Sequence, residues 1–427
     1  MNVSTHISKQ RLKSVLNLLF IPLVAFILSL KLQEFFNINL VLIAAAQIYV
    51  LKNLFLDDLR PEYLRLNALD VSAYLVALVE LVSYCTSTYR ANSFYYLVEI
   101  FFLLLFYCLI RYNLRSEYQR LTLFFLMALW AVFLAAVGFV AFYQLNARLR
   151  AAGFNDITNF RYSIYVLNPI GLAIGEWVTT LLLILPFPLI LFIRFRGSRF
   201  GRVLFGLAAT ALLAVTLMTF IRGVYVAVAA FVLLGSALFR LYGLFSLRQI
   251  LQFNAVVALL TMATLIPVAK PALTTVSMLK TTSQVRSFEG RKSIWKNSLE
   301  IIKDHPLLGI GAYNFSMQYV EYKRQDEESG VAMRPFNYFL QLLIEKGILG
   351  FLVYSLLTIN FFRVSHQKIK ILGDDTYRKA VVILFMVAYA AVIVRDLSES
   401  SIFINRGAHT LLWFMFAHNA QLEDSEG

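Results

Sequence analysis

Cysteine and charged residues are scarce in this sequence. Of its 427 residues, 2 are cysteine and 15% are charged. Soluble globular chains are about a quarter charged, so this composition excludes an ordinary soluble protein. We expect Cys85 and Cys108 to lie in adjacent spans at opposite ends of the membrane, which predicts no disulfide between them. Low-complexity tracts and a separate soluble domain are also missing.

Long apolar runs are abundant instead. Hydrophobic residues make up 59% of the chain, and runs near 20 residues recur along it. Such runs are long enough to cross a bilayer as helices. The sequence therefore predicts an all-α polytopic membrane protein, a single integral membrane domain over 1–427 with about twelve spans. The predicted spans lie near 14–31, 37–55, 70–88, 93–110, 121–143, 170–193, 202–220, 223–239, 249–269, 337–362, 380–396 and 400–418.

The charge pattern predicts an orientation. A net charge of +14 is not evidence for nucleic acid here, because basic loops set the topology of membrane proteins. Most basic clusters fall in the even-numbered connections. We therefore expect a multi-pass membrane protein with both termini cytoplasmic. Four acidic residues within predicted spans indicate that those helices are not simply lipid-facing: Asp70, Glu80, Glu99 and Glu176.

One long connection breaks the pattern. Residues 270–336 are predicted to form an external, periplasmic loop that contains helices, yet they include ten Lys and Arg. Loops longer than ~60 residues escape the charge bias, so topology does not explain these residues. The loop is either a solvated segment with ordinary surface lysines or an external site for an anionic group.

A helix is predicted from Arg291 onward. Its apolar positions recur at helical spacing and are Ile294, Trp295, Ser298, Leu299 and Ile302, whereas Lys292, Lys296 and Lys303 fall on the other side. Trp295 fits simple packing. Arg291 lies at the edge of the apolar face and points toward the membrane domain, where a guanidinium needs an anion and suits a phosphate. Pro306 is predicted to end the helix, and "GIGAYNF" to form a tight turn.

Further charges fall at membrane depth. The apolar stretch "LLAVTLMTFIRGVYVAVAAFVLL" contains one charged residue, Arg222. It is too long for one span across a ~30 Å core, so we predict two spans joined by a tight external hairpin at "FIRG". Arg222 is either functional or an arginine that snorkels to the interface. Glu345 needs a partner, either Lys346 or an arginine, and Asn337 and Gln341 are placed one turn apart.

Three segments together resemble a known family. "GRKSIWKNSLEIIKDHPLLGIGAYNF" (290–315), the Arg-Gly pair at 222–223 and "PFNYFLQLLIEKGILGFL" (335–352) are similar to the O-antigen ligase and polymerase family. The resemblance is strong over about 200–360 and loose over the rest of the chain. "DHPLLGIGAYNF" is its most specific part.

The resemblance implies inverting, metal-independent glycan transfer, with no cofactor, at an active site on the outer, periplasmic face of the bacterial inner (cytoplasmic) membrane. The donor would be a glycan on polyprenyl diphosphate. The acceptor would be another lipid-linked repeat unit in a polymerase, or the lipid A–core sugar in a ligase. Membrane lipids and a chain-length regulator are further implied partners, and no nucleic acid is expected.

The resemblance also implies roles for individual residues. Arg222 and Arg291 would bind the diphosphate and stabilise the leaving group's charge. The implied substrate-binding residues are Arg334, Asn337, Trp295, Lys292 and Asn314.

The chain departs from the family at one position. The family has Pro-His-Asn where this chain has Pro335-Phe336-Asn337, and phenylalanine cannot act as the base. The substitutes offered by the sequence are His305, Glu345 and Glu321, although His305 also fits a purely structural role at the end of its helix. This departure favours a polymerase over a ligase. A lipid-linked glycan flippase or transporter is the alternative of another class, although the sequence shows no internal symmetry of the kind that transporters have.

Overall fold

The computed structural model describes most of the chain as helices. It covers residues 65–114, 116–151, 174–219, 221–265, 282–322, 334–400 and 406–421, together with Ile21 and Val24. No strand occurs within these residues. The helices are α1 Ala68–Cys85, α2 Arg90–Asn113, α3 Glu117–Ala151, α4 Ile174–Ile184, α5 Pro186–Arg194, α6 Arg199–Leu217, α7 Arg222–Leu241, α8 Leu247–Leu265, α9 Thr282–Asp304, α10 Phe315–Tyr322, α11 Tyr338–Ile371, α12 Thr376–Asp396 and α13 Arg406–Ala420.

Eight segments in the described part are long and apolar enough to cross a membrane. They correspond to eight of the predicted spans, and α4 and α5 together supply one of them as Trp177–Arg194. The count of about twelve is not confirmed. The predicted spans 14–31 and 37–55 lie outside the described residues, apart from Ile21 and Val24. The other two correspond to α8, with a shorter apolar stretch, and α13, with 15 residues.

The predicted division of the long apolar stretch into two helices is confirmed, since α6 ends at Leu217 and α7 begins at Arg222. That the connection is external stays a prediction. Helix α7 packs along α12, which also contacts α4, α5 and α11 and lies at the centre of the bundle. Helix α11 packs along α1, and α13 along α2. Apolar side chains such as Val226 and Leu233 face outward from α7, as expected for a surface in contact with lipid.

The glycine-rich turn inserts into a break in α11. Gly347 has φ 61° and ψ −167° inside this helix, which interrupts the ladder of helical hydrogen bonds. Ile310 N donates to Ile344 O at 3.0 Å, and Ile348 N donates to Pro306 O at 2.8 Å. Residues 306–311 therefore satisfy backbone groups that the break releases. This arrangement confirms the predicted turn and the predicted end of α9, which stops at Asp304.

The same turn is anchored to the connection between α1 and α2. The Asn314 side chain is buried, and its Nδ2 donates to Ser87 Oγ at 2.8 Å and lies 3.3 Å from Ser93 Oγ. Thr88 N donates to Ile310 O at 3.1 Å. We call the end of the bundle that carries α9, α10 and this turn the loop end.

Acidic residues within the spans are paired. Asp70 accepts from Tyr107 Oη at 2.6 Å and forms an ion pair with Arg111 at 3.2 Å. Glu80 forms an ion pair with Lys346. Glu99 Oε1 lies 3.0 Å from His409 Nδ1. The Glu176 side chain lies outside the described residues. Both cysteines of the described part are free, as predicted.

Candidate active site

Helix α9 presents one face to the bundle and one to solvent. Arg291 is half-buried, while Lys292, Lys296 and Lys303 are exposed, as predicted. The prediction that Leu299 belongs to the packed face is wrong, since its exposed fraction is 52%. The buried positions are Ile294, Asn297, Ser298 and Ile301. Asn297 occupies the packed position that the pattern assigned to Leu299. A hydropathy pattern treats polar residues as exposed, so it does not predict that Asn297 is buried.

The Arg291 guanidinium contacts the segment that follows α12. Its Nη1 donates to Ser398 O at 3.1 Å, and its Nη2 lies 3.6 Å from Glu399 Oε1. The Arg291 side chain keeps 29% of its surface exposed and that of Glu399 keeps 18%. The arginine therefore faces inward, as the sequence predicts, and is still open to a ligand.

Arg334 approaches the same carboxylate from the other side. Its Nη2 lies 3.9 Å from Glu399 Oε2. The Phe336 ring contacts both guanidiniums, with Arg291 Cζ at 5.0 Å and Arg334 Cζ at 5.3 Å from its centroid. These distances suit cation–π attraction. We call Arg291, Arg334, Phe336 and Glu399 the arginine cluster.

Two predicted substrate-binding residues hold the cluster's backbone in place. Trp295 Nε1 donates to Pro335 O at 2.8 Å, which fixes α9 to the start of α11. Asn337 is the N-cap of α11, where its Oδ1 accepts from Leu340 N at 2.9 Å and its Nδ2 donates to Leu397 O at 3.0 Å. Both side chains therefore have structural contacts that position Phe336 and Glu399.

Arg222 is the first residue of α7, and its side chain is exposed. The next residue, Gly223, touches the segment that carries the cluster's carboxylate. A Cβ at Gly223 would lie 3.1 Å from Ser398 Oγ and 3.7 Å from Arg395 Cγ. The start of α7, which carries Arg222, therefore lies against residues 395–399, the segment that Arg291 also contacts. A side chain at position 223 would crowd Ser398.

A further arginine lies just below. Arg395 is buried, donates from Nη1 to Thr179 Oγ1, and lies 3.6 Å from Asp396 Oδ1. Its charge is balanced within the bundle by Asp396. By contrast, Arg291 and Arg334 both contact the single carboxylate of Glu399. Two guanidiniums beside a partly open surface can bind an anion, and guanidinium forks suit phosphate.

Two predicted site residues lie elsewhere at the loop end. Asn314 anchors the glycine turn through the serine contacts described above. Glu345 is 1% exposed in α11, and its Oε1 accepts from Gln341 Nε2 at 3.3 Å. Its neighbour Lys346 instead pairs with Glu80, so the predicted pairing of Glu345 with Lys346 or an arginine differs from what the structure shows. Buried Glu345 has no surface from which to reach a substrate hydroxyl.

The two remaining base candidates have contacts at the ends of α9 and α10. His305 follows the last residue of α9, and its backbone carbonyl accepts from Gly309 N at 3.2 Å. Glu321 Oε1 accepts from Tyr89 Oη at 2.7 Å, and Oε2 accepts from Gln318 Nε2 at 2.7 Å. The hydrogen bond to Glu321 raises the pKa of Tyr89. These contacts support structural roles for both residues.

A second tyrosine–carboxylate hydrogen bond joins α9 to α10. Tyr322 Oη donates to Asp304 Oδ2 at 2.6 Å, and this hydrogen bond raises the pKa of Tyr322 to about 12. The bond joins the last residue of α9 to the last residue of α10. It therefore holds the two helices together over the turn.

The sequence reasoning did not identify Glu399 or Arg395 as site residues. Both lie in "VRDLSESS", where an Arg-Asp pair ends an apolar span and a glutamate follows, and that charge pattern was the available signal. Within the described residues, no group of three or more His, Cys, Asp and Glu lies close enough together to hold a metal ion.

Comparison with known protein families found a match over part of the chain. A family model described as O-Antigen ligase matches residues 175–355, which include Arg222, the glycine turn and the first half of α11. No curated protein matches the chain. The match confirms the resemblance seen in the sequence and supports an inner-membrane protein that acts in the transfer of surface polysaccharide. Residues 175–355 of this chain are therefore similar to the O-antigen ligase family.

Proposed function

We propose that this protein transfers a glycan from polyprenyl diphosphate to a sugar hydroxyl on the periplasmic face of the inner membrane. One observation carries the proposal. Arg291 and Arg334 converge on Glu399 at a partly open surface, and α7, which begins at Arg222, contacts the same segment through Gly223. The family match over residues 175–355 supports glycosyl transfer as the reaction class. A lipid diphosphate is the anion that this reaction releases.

The arginines serve as the diphosphate site. Each guanidinium offers a planar fork of donors that pairs bidentately with phosphate oxygens. Glu399 is held at 3.6 and 3.9 Å, longer than charge-assisted hydrogen bonds of about 2.7–2.9 Å. A diphosphate therefore replaces this loosely held carboxylate as the partner of the two arginines. Their positive charge stabilises the charge that develops on the leaving group.

The reaction is a displacement at the anomeric carbon. The acceptor oxygen attacks this carbon from the face opposite the diphosphate, which inverts the configuration. The bond between the sugar and the phosphate breaks, and its electron pair stays on the diphosphate oxygen. The leaving group is already anionic, so it needs charge stabilisation and not a proton. The acceptor hydroxyl loses its proton in the same step.

The acceptor decides between two activities. We favour a polymerase, which adds the glycan to another lipid-linked repeat unit, because Phe336 stands where the family has histidine. A ligase would add the glycan to lipid A–core sugar at the same site. The intermediates that accumulate in a deletion strain separate the two. Single repeat units on the surface core indicate loss of a polymerase, and complete polymer left on polyprenyl diphosphate indicates loss of a ligase.

Arginine replacement tests the site. Arg291→Ala and Arg222→Ala should each lower transfer by roughly 10²–10³-fold, as expected when a group that stabilises transition-state charge is removed. Arg291→Lys should restore little, because the fork geometry is lost. The measurement is surface glycan in a complemented deletion strain, together with the amount of membrane-inserted protein.

Lys296→Ala is the matched control, since Lys296 is an exposed cation on the same helix as Arg291. It should transfer glycan at the wild-type level. Wild-type surface glycan in Arg291→Ala would show that the arginine cluster does not bind the donor, and in Arg222→Ala it would exclude Arg222 from the donor site.

A further inference from the structure

Glu399 is the carboxylate that this site places beside the arginines. Its two oxygens face different guanidiniums, Oε1 toward Arg291 at 3.6 Å and Oε2 toward Arg334 at 3.9 Å. It follows α12 by three residues, on the segment that Arg291 and Asn337 bind through the carbonyls of Ser398 and Leu397. The backbone that carries Glu399 is thus fixed from two sides.

Four other side chains near the loop end are poorly placed to take a proton from an acceptor: Phe336, Glu321, Glu345 and Glu99. Phe336 has no basic group, and its ring packs against two guanidiniums with its backbone at φ 52°. Both oxygens of Glu321 already accept hydrogen bonds. Glu345 is buried, and Glu99 is bound to His409 and to Tyr313 Oη at 3.2 Å.

We infer that Glu399 accepts the proton of the acceptor hydroxyl. This inference rests on the proposed function, because it requires the arginine cluster to hold the donor diphosphate. Without a donor, the arginines hold the carboxylate at the cluster. When the diphosphate pairs with Arg291 and Arg334, Glu399 loses these partners, and its carboxylate turns toward the acceptor hydroxyl on the opposite face of the anomeric carbon.

The step balances without any further reactant. The acceptor oxygen forms a bond to the anomeric carbon while its proton passes to Glu399. The sugar–phosphate bond breaks, and the electron pair leaves with the diphosphate. Glu399 then returns the proton to water when the products leave, and its carboxylate pairs again with the arginines. A carboxylate from the segment after α12 thereby takes the role that a histidine at position 336 would have.

The test separates binding from transfer in the purified full-length protein. Glu399→Gln keeps the size and the hydrogen bonding of the side chain but cannot accept the proton. We expect its transfer rate at saturating donor to fall by roughly 10²–10⁴-fold, the usual contribution of general base catalysis. Its affinity for undecaprenyl diphosphate should be equal to that of the wild type or tighter, since a competing negative charge is removed.

Two further variants give the test its controls. Glu399→Asp keeps a carboxylate and should recover part of the rate. Glu300→Gln, which changes an exposed carboxylate of α9, should leave both binding and transfer unchanged.

Each result decides a separate point. A wild-type transfer rate in Glu399→Gln would leave Glu399 as a counter-ion only and overturn the inference. Loss of undecaprenyl diphosphate binding in that variant would assign Glu399 to the construction of the site and would also overturn it. If instead Arg291→Ala binds and transfers normally, the proposed function fails, whatever Glu399 does.

Discussion

At the scale of the residue, buried charges in this protein have specific partners. Lys346 is fully buried and pairs with Glu80, whose other oxygen accepts from Tyr354 Oη at 2.8 Å. Lys346 Nζ also lies 4.2 Å from the centroid of the Tyr96 ring. Glu80, Tyr96 and Lys346 thus link α1, α2 and α11 beside the glycine turn. An ion pair at this depth is costly to break, because the remaining charge has neither water nor a partner.

Glu80→Gln should therefore destabilise the protein by about 3–5 kcal/mol, because it leaves Lys346 charged and unpaired. Thermal unfolding in detergent measures this as a fall in Tm. Glu117→Gln is the control, since Glu117 is 47% exposed where it pairs with Arg194, and surface pairs contribute only ~0–1 kcal/mol. Equal Tm values for the two variants would contradict the structural role of the buried pair.

At the scale of the element, the turn and the broken helix form one unit. Gly309, Gly311 and Gly347 all have positive φ, between 61° and 91°. A Cβ at Gly309 would lie 2.5 Å from Lys346 N, and one at Gly347 would lie 2.3 Å from Leu307 O. The two backbones approach too closely for any side chain. The "DHPLLGIGAYNF" segment is therefore specific because its glycines let the loop pair with the open turn of α11.

Gly309→Ala should disrupt this unit. Its φ of 67° would cost about 1–3 kcal/mol for a non-glycine residue, and the backbone clash adds to that. Faster proteolysis of the 306–311 segment and lower transfer would report the loss. Gly290→Ala is the control, because it lies within α9 with nothing within 4 Å of the added Cβ. An unchanged Gly309→Ala protein would rule out the close pairing.

At the scale of the whole molecule, the loop end and the opposite end differ in what they present. The loop end carries the arginine cluster, the glycine turn and the start of α11. The opposite end carries the α5–α6 connection with Arg196 and Gly197, which lies between two apolar helices. Basic residues at that opposite end agree with a cytoplasmic location, which supports a periplasmic site.

Labelling by a membrane-impermeant maleimide tests this orientation. In a Cys85→Ser background, which removes an exposed thiol at the end of α1, Lys292→Cys should label in intact spheroplasts. Gly197→Cys should label only after the membrane is opened. Labels appearing in the reverse order would invert the predicted topology and exclude a periplasmic donor site.

The membrane nature of the chain, its helices and its most specific motif could be predicted from the sequence. Apolar runs and the polar residues that interrupt them are local properties of the sequence. They therefore predicted eight spans and the break between two helices at Arg222. Helical spacing also predicted which way Arg291 faces. The prediction from helical spacing failed at Leu299, because Asn297 packs against the protein instead. Asn297 is buried with Tyr319 as its hydrogen-bond partner, and a hydropathy pattern does not predict burial of a polar residue.

Only the tertiary structure decided which groups meet. Arg291 contacts Ser398, 107 residues away, and Lys346 selects Glu80 over its neighbour Glu345. Contacts between distant segments depend on how whole helices pack and on which backbones a glycine allows to approach. No local pattern encodes that geometry, so the sequence determined the helices and the arginines, whereas packing brought the carboxylate of Glu399 between two of them.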